Sequence, residues 1–388
     1  MKQRTSIWIF TTAMASVLGI PVAQASLNLP NPINVDAGPL GKIGVQGVAS
    51  AMGFWQDNPQ GTPGTLGAKY AGATITNGMV IVQKSSGLVQ FYAQAGAYGF
   101  PTLAASLAGA NPTSAINDFG ALPVAYLKIA PSSNYSVEIG KLPTLIGAEG
   151  GFTYQNINVE RGLLWDMEPI VSRGIQFNAS AGPVSASLSL NDGYYSNRYN
   201  VLSGIVTYAI NGANTVSFYA DGPLGKVRTS ANNAAYSAIG TVSQIYGLEY
   251  EYSSGPWMIE PYFQYMHTPK SVQAGVPHSF DNYGGSILLN YSYNSDWSMG
   301  ARVEYLEVGG PLGYGLNLHS VASTLTDLPA DSHAWSLTIT PTYQAGDFFA
   351  RAELSYVTAS TPTGTGFAGR SGLAKNQVRG IVETGLLF

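Results

Sequence analysis

The sequence predicts an all-β protein, a transmembrane antiparallel up-and-down β-barrel of about 16 strands, with 14 or 18 strands left open. Three observations predict this fold class. Apolar and polar residues alternate along many segments, short and long connections alternate between those segments, and charged residues are scarce. Charged residues make up 10% of the chain, against about 25% in ordinary soluble domains. Together these features favour a closed sheet with one apolar and one polar face.

The first residues have the composition of a secretory signal peptide. Lys2 and Arg4 precede the apolar run "IWIFTTAMASVLGI", and the small-residue site "AQA" ends at Ala25. A basic start, an apolar stretch and small residues at the cleavage site are typical of export signals. We therefore expect a signal peptide over residues 1–25 and a mature domain over residues 26–388. The alternative is an N-terminal anchor helix, although the apolar run is short for a membrane span of about 20 residues.

Composition excludes several classes of protein. Without the two bases of the signal the net charge is −6, since 16 Lys and Arg then face 22 Asp and Glu, and nothing basic indicates nucleic acid. The absence of cysteine excludes disulfides and thiolate chemistry. After the signal no run of about 18 apolar residues indicates a membrane helix. Few charges with 24 Tyr and 46 Gly leave a secreted all-β protein or a membrane barrel.

Alternation with a period of two predicts strands. In "PVSASLSLND", Val184 and Leu188 share one face while Ser185 and Ser189 share the other. Such runs extend over about 9–12 residues, which matches the length that a tilted strand needs to cross a bilayer. Aromatic residues stand at both ends of the apolar rows, as membrane–water interfaces favour. The aromatic pairs are Trp257 with Tyr265, Trp297 with Tyr305, and Trp335 with Tyr343.

The connections alternate between short turns and long loops, which is the layout of outer-membrane barrels. Sixteen strands are predicted, at residues 42–55, 77–84, 87–98, 121–129, 134–140, 173–181, 183–191, 201–210, 214–221, 242–252, 256–267, 283–293, 296–306, 334–344, 347–357 and 377–388. The last strand must pair with the first to remove the sheet edge. It ends at Phe388 on the short-turn side.

The segment "YSVEIGKLPTLIGAEGGFTYQNINVERGLLWDMEPIVSRGIQF" resembles the OmpL-like family of β-barrel outer-membrane porins. The residues that carry the resemblance are Gly140, Lys141, Asn156, Asn158, Arg161, Glu168, Pro169 and Gly174. Where the family pattern has Ser-Arg-Ser, this chain has Glu160-Arg161-Gly162. The resemblance implies a diffusion channel. A terminal strand ending in Phe388 also resembles the C-terminal signal that bacterial barrels present to their assembly machinery.

The third long loop, at about residues 141–172, is rich in ionisable side chains. In sixteen-stranded general porins this loop folds into the lumen, and rings of opposed charge select solutes by field and size. We therefore expect it to form the pore constriction. The alternative is an external loop whose charges are solvated. The candidate constriction residues are Lys141, Glu149, Glu160, Arg161, Asp166, Glu168 and Arg173.

Ionisable residues also fall on the polar face of the predicted strands. Acids exceed bases among them, so a mild preference for cations is expected. The alternative for each is a paired charge that stiffens the barrel wall. The candidate lumen-lining residues are Glu138, Glu249, Glu251, Glu260, Arg302, Glu304, Arg351, Glu353, Arg379 and Glu383.

The sequence as a whole predicts a passive channel for small hydrophilic solutes or ions in a Gram-negative outer membrane. No cofactor, metal or catalytic residue is predicted, since the four histidines form neither H-E-x-x-H nor a triad signature. Expected partners are outer-membrane lipid, the barrel-assembly machinery, solutes, and two further copies in a homotrimer, but no nucleic acid. The alternatives are a barrel-rim hydrolase, an adhesin or structural barrel with a plugged lumen, and a secreted sandwich.

Overall fold

The computed structural model describes residues 27–107, 109–110, 119–225, 240–274, 276, 278–309, 332–360, 366–369 and 374–388. The predicted signal peptide therefore lies outside the described residues, as does His319. Within the described part of the chain, seventeen strands form one sheet whose neighbours all pair antiparallel.

The strands follow the alternating pattern of the sequence closely. They are β1 Ile33–Asp36, β2 Lys42–Gln56, β3 Ala71–Lys84, β4 Val89–Tyr98, β5 Val124–Ile129, β6 Tyr135–Pro143, β7 Val171–Ala181, β8 Val184–Asn191, β9 Val201–Asn211, β10 Asn214–Pro223, β11 Gln244–Ser254, β12 Trp257–Thr268, β13 Phe280–Ser292, β14 Trp297–Val308, β15 Ser332–Ala345, β16 Phe348–Ser360 and β17 Asn376–Leu387.

The sheet closes because the last strand pairs with β2, from Leu387 opposite Val48 to Arg379 opposite Gln56. Strands β2 to β17 therefore form a closed sixteen-stranded barrel, which confirms the predicted fold class and strand number. Closure leaves no row of unpaired backbone groups, which a lipid environment would not tolerate.

Strand β3 begins at Ala71, six residues before the predicted start. Its pairing with β2 shifts by one residue near Ile75, and Thr76 and Asn77 are both buried. Such a bulge interrupts the alternation of faces. The sequence pattern therefore predicts a long loop that includes "AGATIT", residues 71–76, whereas the observed connection ends at residue 70.

The short strand β1 was not predicted. It pairs Ile33–Asp36 with Lys42–Val45 of β2, just beyond the point where β17 ends. Strand β1 thus pairs with the first residues of β2 on the same edge to which β17 pairs further along that strand. Four residues are too few to show a period of two, so the sequence pattern carries no signal for it.

The two faces of the sheet differ in chemistry. Along β16, Leu354 is 51% exposed on the outside, whereas Glu353 is 4% exposed on the inside. Aromatic rings pair across neighbouring strands on the outer face, with centroids 4.9 Å apart for Trp297 and Tyr343 and 4.7 Å apart for Tyr305 and Trp335. An apolar band flanked by aromatic rings is typical of a barrel wall in contact with lipid.

Two prolines lie within the wall. Pro261 keeps its pairing with Ile287 on one side but interrupts the ladder toward β11. Pro341 keeps its pairing with Met299 and interrupts the ladder toward β16. Each ring removes one backbone donor, so each is tolerated because only one of its two ladders is affected.

Short connections join the strands at one end of the barrel and long connections join them at the other. The short ones are residues 85–88, 130–134, 182–183, 212–213, 255–256, 293–296 and 346–347, and the long ones are residues 57–70, 99–123, 144–170, 192–200, 224–243, 269–279, 309–331 and 361–375. In the described residues, the structure holds no helix with the length and apolar character of a membrane span.

Phe388, the C-terminal residue, pairs with β2 where the barrel closes, and this contact leads to a prediction. Phe388 and Gly47 exchange backbone hydrogen bonds of 3.0 and 2.6 Å, and the Phe388 ring lies over the α-carbon of Gly47. A Cβ at position 47 would be 2.2 Å from that ring. We expect Gly47→Ala to displace the ring and lower the free energy of unfolding by about 1–3 kcal/mol.

Urea denaturation of the folded barrel in lipid vesicles measures this effect. Gly78→Ala on β3 is the matched control, because a Cβ there meets open space. Equal denaturation midpoints for the two variants would contradict the assigned role of the Gly47–Phe388 contact.

Candidate functional site

The connection between β6 and β7, residues 144–170 and here called the inner loop, lies inside the barrel. Its backbone donates to carboxylates of the wall: Val159 N–H to Glu353 at 2.5 Å, Glu160 N–H to the same carboxylate at 3.0 Å, and Leu163 N–H to Glu304 at 3.0 Å. Charge-assisted bonds of this kind are roughly twice as strong as neutral ones. The loop is thus held against β14 and β16.

Asn156 and Asn158 give the inner loop its local shape. The Asn156 amide donates to the carbonyls of Gly150 and Phe152, both at 2.9 Å, and accepts from Gly150 N–H at 2.7 Å. Asn158 donates to Thr340 Oγ1 on the wall at 2.7 Å. These contacts give a physical role to the two asparagines of the family-like segment.

Apolar and aromatic packing fixes the other side of the inner loop. The Phe152 ring lies 5.5 Å from the ring of Tyr98, and the Trp165 ring lies 6.0 Å from that of Phe100. All four side chains are buried. Their burial anchors the loop near β4 while hydrogen bonds anchor it at β14 to β16.

The second long connection also enters the barrel, which the sequence did not predict. Leu103 N–H donates to the Arg161 carbonyl at 3.0 Å, and Arg161 N–H donates to the Pro101 carbonyl at 3.0 Å. This segment, "FPTLAASL", has no charged residue that would have marked it as a lumen element. The two loops are therefore joined by backbone hydrogen bonds.

Arg161 does not face an acid across the lumen. Its guanidinium donates to the carbonyls of Gly150, Gly151, Pro101 and Val159. It forms no ion pair with any described residue. Burial lowers the pKa of Arg161 to about 9. Arg161 therefore joins the two loops through their carbonyls.

Three other arginines project from the wall and are paired with acids. Arg302 contacts Glu149 at 2.6 Å and Glu304 at 3.2 Å, and Arg351 contacts Glu383 at 2.6 Å. Arg379 pairs with Glu160. Glu149 and Glu160 belong to the inner loop, so two of these pairs link the loop to β14 and β17. Breaking a buried pair by removing one partner typically costs about 3–5 kcal/mol.

Strands β11 and β12 carry acids without such partners. Glu249, Glu251 and Glu260 face inward and are at most 6% exposed, and the inner loop adds Glu168 beside them. None of the four forms an ion pair with a described residue. We call these four residues the acidic wall. Burial raises the pKa of the Glu168 carboxyl well above its usual range, and the nearby carboxylates of Glu149 and Glu249 raise it further.

The remaining predicted residues lie apart from this centre. Lys141 donates to the Phe119 and Leu122 carbonyls at 2.8 and 3.0 Å, at the loop end of β6. Arg173 pairs with Asp192 at 2.7 Å at the start of β7. Glu138 pairs with Lys128 at 3.1 Å on the opposite wall. Asp166 is buried within the inner loop.

Sequence reasoning missed several polar side chains of the site. Tyr219 and Tyr262 face inward and are buried, and Tyr219 donates to Gln264 at 2.9 Å. Thr153 of the inner loop donates to Glu383 at 3.0 Å. Alternation along β10 and β12 places both tyrosines on the inner face, so their parity was the available signal. No group of three acids or histidines among the described residues is arranged to hold a metal ion.

The pairing of Arg379 with Glu160 generates a prediction. Arg379→Met leaves Glu160 buried without a cation and removes bonds to the Thr102 and Ala105 carbonyls. We expect the free energy of unfolding to fall by about 3–5 kcal/mol, measured by urea denaturation in vesicles.

Adding Glu160→Gln to Arg379→Met should restore part of that loss, because the orphan charge is then removed. The exposed Lys69→Met is the control for loss of a cation and should leave the denaturation midpoint unchanged. An unchanged midpoint for Arg379→Met would show that the pair does not hold the loop.

Comparison with known proteins relates this architecture to solved outer-membrane barrels. The chain is similar to OmpT of Vibrio cholerae in its trimer form, at 12% identity, covering 89% of this chain and 99% of that one with a TM-score of 0.53. It is similar to the outer membrane channel DcaP of Acinetobacter baumannii at 10% identity, covering 89% and 97%, TM-score 0.55. It is also similar to the anion-selective porin from Comamonas acidovorans at 10% identity, covering 89% of this chain and 99% of that one with a TM-score of 0.56.

These likenesses concern the fold. Among curated proteins, none matches the chain at a significant level. A family model does match, and it spans residues 42–388, from the first strand of the closed barrel to the C-terminal residue. The chain therefore belongs to the family described as "Putative beta-barrel porin-2, OmpL-like".

Proposed function

We propose that this protein is a porin of the bacterial outer membrane, a passive diffusion channel for small hydrophilic solutes or ions. The observation that carries the proposal is a charged loop fastened inside a closed sixteen-stranded barrel. A barrel of this strand number is wide enough for an aqueous lumen. A loop held within this lumen reduces the cross-section of the passage.

The inner loop is the constriction in this mechanism. The loop is bound to β14 to β17 by hydrogen bonds and ion pairs, and to β12 by Gln264, which donates to the Leu164 carbonyl at 3.2 Å. Solutes therefore cross on the side of the lumen that the loop leaves free. Size and charge are then sorted at one level of the barrel. No covalent step, cofactor or catalytic residue is part of the mechanism.

The balance of charge at this level supports a preference for cations. Arg302, Arg351 and Arg379 are each neutralised by a contacting carboxylate. Arg161 has no ion pair with a described residue, but it is one cation against the four acids of the acidic wall. The acidic wall has no such counter-charges among the described residues. An uncompensated carboxylate in a medium of low dielectric attracts cations more strongly than one in water.

The proposal that the protein is not an enzyme draws on the surroundings of its histidines. His267 Nδ1 contacts Asp281 at 2.7 Å at the outer end of β12, and Tyr265 donates to the same carboxylate. Among the described residues, no serine or threonine hydroxyl is hydrogen-bonded to the His267 ring. A rim hydrolase would need a nucleophile at that position.

One alternative is favoured by a specific observation. The lumen-facing charged side chains are nearly all buried, from Glu138 at 8% exposed to Arg302 at 0%. Such packing also fits a structural or adhesive barrel with a plugged lumen. Conductance in a planar bilayer separates the two. A plugged barrel remains electrically silent even when heat-modifiable gel migration shows that it is folded.

Export and assembly complete the proposal. The N-terminal segment to Ala25 would act as a cleaved signal, and Phe388 would present the last strand to the barrel-assembly machinery. Outer-membrane lipid would cover the apolar outer face. The trimer form of the structurally similar OmpT supports a homotrimer for this chain.

The constriction leads to a prediction about conductance. Deleting residues 150–165 removes the loop segment that binds Glu304, Glu353 and Arg379. We expect single-channel conductance in a planar bilayer to increase several-fold, because the passage widens.

A deletion of residues 63–65, which are exposed in the first long loop, is the control and should leave conductance unchanged. If deletion of 150–165 also left conductance unchanged in a barrel that still folds, the loop would not be the constriction.

A second prediction concerns pH. The raised pKa of Glu168 means that this carboxyl becomes charged at a higher pH than ordinary carboxylates, which are ionised above about pH 5. Its charge therefore grows as pH rises through the raised pKa. We expect cation preference, measured as the reversal potential in a KCl gradient, to increase as pH rises above the range in which ordinary carboxylates titrate.

The variant Glu168→Gln should flatten this pH dependence. The control variant Asp347→Asn removes one carboxylate from an exposed turn outside the inner loop. It should keep the pH dependence of the natural chain. A pH dependence that is the same in Glu168→Gln as in the natural chain would assign the titration to another group.

A further inference from the structure

We propose that Glu168, Glu249 and Glu260, together with the hydroxyl of Tyr262, form a binding station for solutes that carry an alkylammonium or guanidinium group. This inference rests on the proposed channel function and names the class of solute for which the constriction is built. It goes beyond ion preference, because a station binds its solute at equilibrium rather than merely favouring one sign of charge.

Three elements of the structure converge on the station. On β11, Glu249 lies directly opposite Tyr262 of β12, and Glu260 is the neighbouring inward residue on that same strand. Glu168 reaches toward them from the inner loop and interacts electrostatically with Glu249. Its carboxylate lies against Gly147, where a Cβ would be 2.1 Å from the carboxylate oxygens. The wall and the loop thus present oxygens to one another.

The Tyr262 hydroxyl is an independent indication of a ligand. Tyr262 is 3% exposed, and its hydroxyl has no hydrogen-bond partner among the described residues. It lies within electrostatic range of Glu168 and Glu149. Both oxygens of Glu168 also lack a hydrogen-bond partner in the described part of the chain. Buried polar groups are normally bonded, so these oxygens suit a ligand that donates N–H groups.

Charge balance points to a cation. Arg302 is already paired with both Glu149 and Glu304. No described base pairs with Glu249 or Glu260. Glu249 and Glu260 interact with each other through a carboxyl–carboxyl hydrogen bond, which requires one bound proton, and a cation at the station replaces that proton.

The chemistry of the surroundings favours an organic cation over a metal ion. Among the described residues no group of three acids is arranged to hold a metal ion. Oxygens spread over three elements suit the several N–H donors of an ammonium or guanidinium group. Leu288 lies opposite Glu260, and Leu164 of the inner loop packs in the same apolar cluster as Tyr262. These side chains would contact the alkyl part of the solute, and the Tyr262 ring can bind a cation through its face.

Isothermal titration calorimetry of the folded mature chain in detergent tests the station directly. The probe is n-butylammonium chloride, and sodium butyrate is the matched anionic probe of similar size. We expect saturable binding of the ammonium only, weakened about tenfold or more by Glu260→Gln. Asp347→Asn, which removes an equal charge from an exposed turn, should bind as the natural chain does.

Tyr262→Phe provides a second variant that keeps the ring and every carboxylate, and a several-fold weaker affinity is expected from loss of the hydroxyl alone. Folding of each variant is checked by heat-modifiable gel migration. Absence of saturable ammonium binding to the natural chain would overturn the station. So would an affinity for n-butylammonium in both Glu260→Gln and Tyr262→Phe that equals the affinity of the natural chain.

Planar-bilayer recording separates this inference from the proposed function. Conductance that n-butylammonium blocks saturably supports both the channel and the station. Conductance without ammonium binding rejects the station and keeps the channel. Ammonium binding to a folded barrel that is silent in the bilayer supports the station and rejects free diffusion through the lumen.

Discussion

The requirement that every backbone polar group be paired in lipid determines the rest of this structure. It is met by the pairing of β17 with β2, which turns the sheet into a barrel without an edge. Closure gives the sheet one face toward lipid and one toward the interior. Ionisable side chains in the middle of the strands, such as Glu353 and Arg302, therefore point inward, and the interior must accommodate those charges.

The position of the inner loop follows from that accommodation. Glu353 and Glu304 are carboxylates on the inner wall, and the loop satisfies them with backbone N–H groups at 2.5–3.0 Å. The loop in turn brings its own acids to wall arginines, as in the pair of Glu149 with Arg302. Loop and wall thus stabilise each other. The carboxylates left without a paired base lie on β11 and β12, where the loop contributes a further acid, Glu168, instead of a base.

Alternation was sufficient to predict sixteen strands because a two-sided wall requires it at nearly every position. It failed where the physics departs from a period of two, at the bulge beside Thr76 and in the four-residue β1. The composition of the third loop pointed to a charged constriction, but not to its contacts. Glu160 and Arg379 lie 219 residues apart, and nothing local in the sequence relates them. Arg161 resembled a lumen charge, yet carbonyls of two loops surround it.

Close approach of loop and wall also accounts for the point where this chain departs from the family pattern. In place of Ser-Arg-Ser it has Glu160-Arg161-Gly162. A Cβ at position 162 would be 2.0 Å from a Glu304 oxygen, so glycine makes room for the wall carboxylate, while its N–H donates to Glu149 at 2.7 Å. Glu160 supplies the partner for Arg379. The two departures therefore belong to one set of contacts, in which the segment meets the charges of this particular wall.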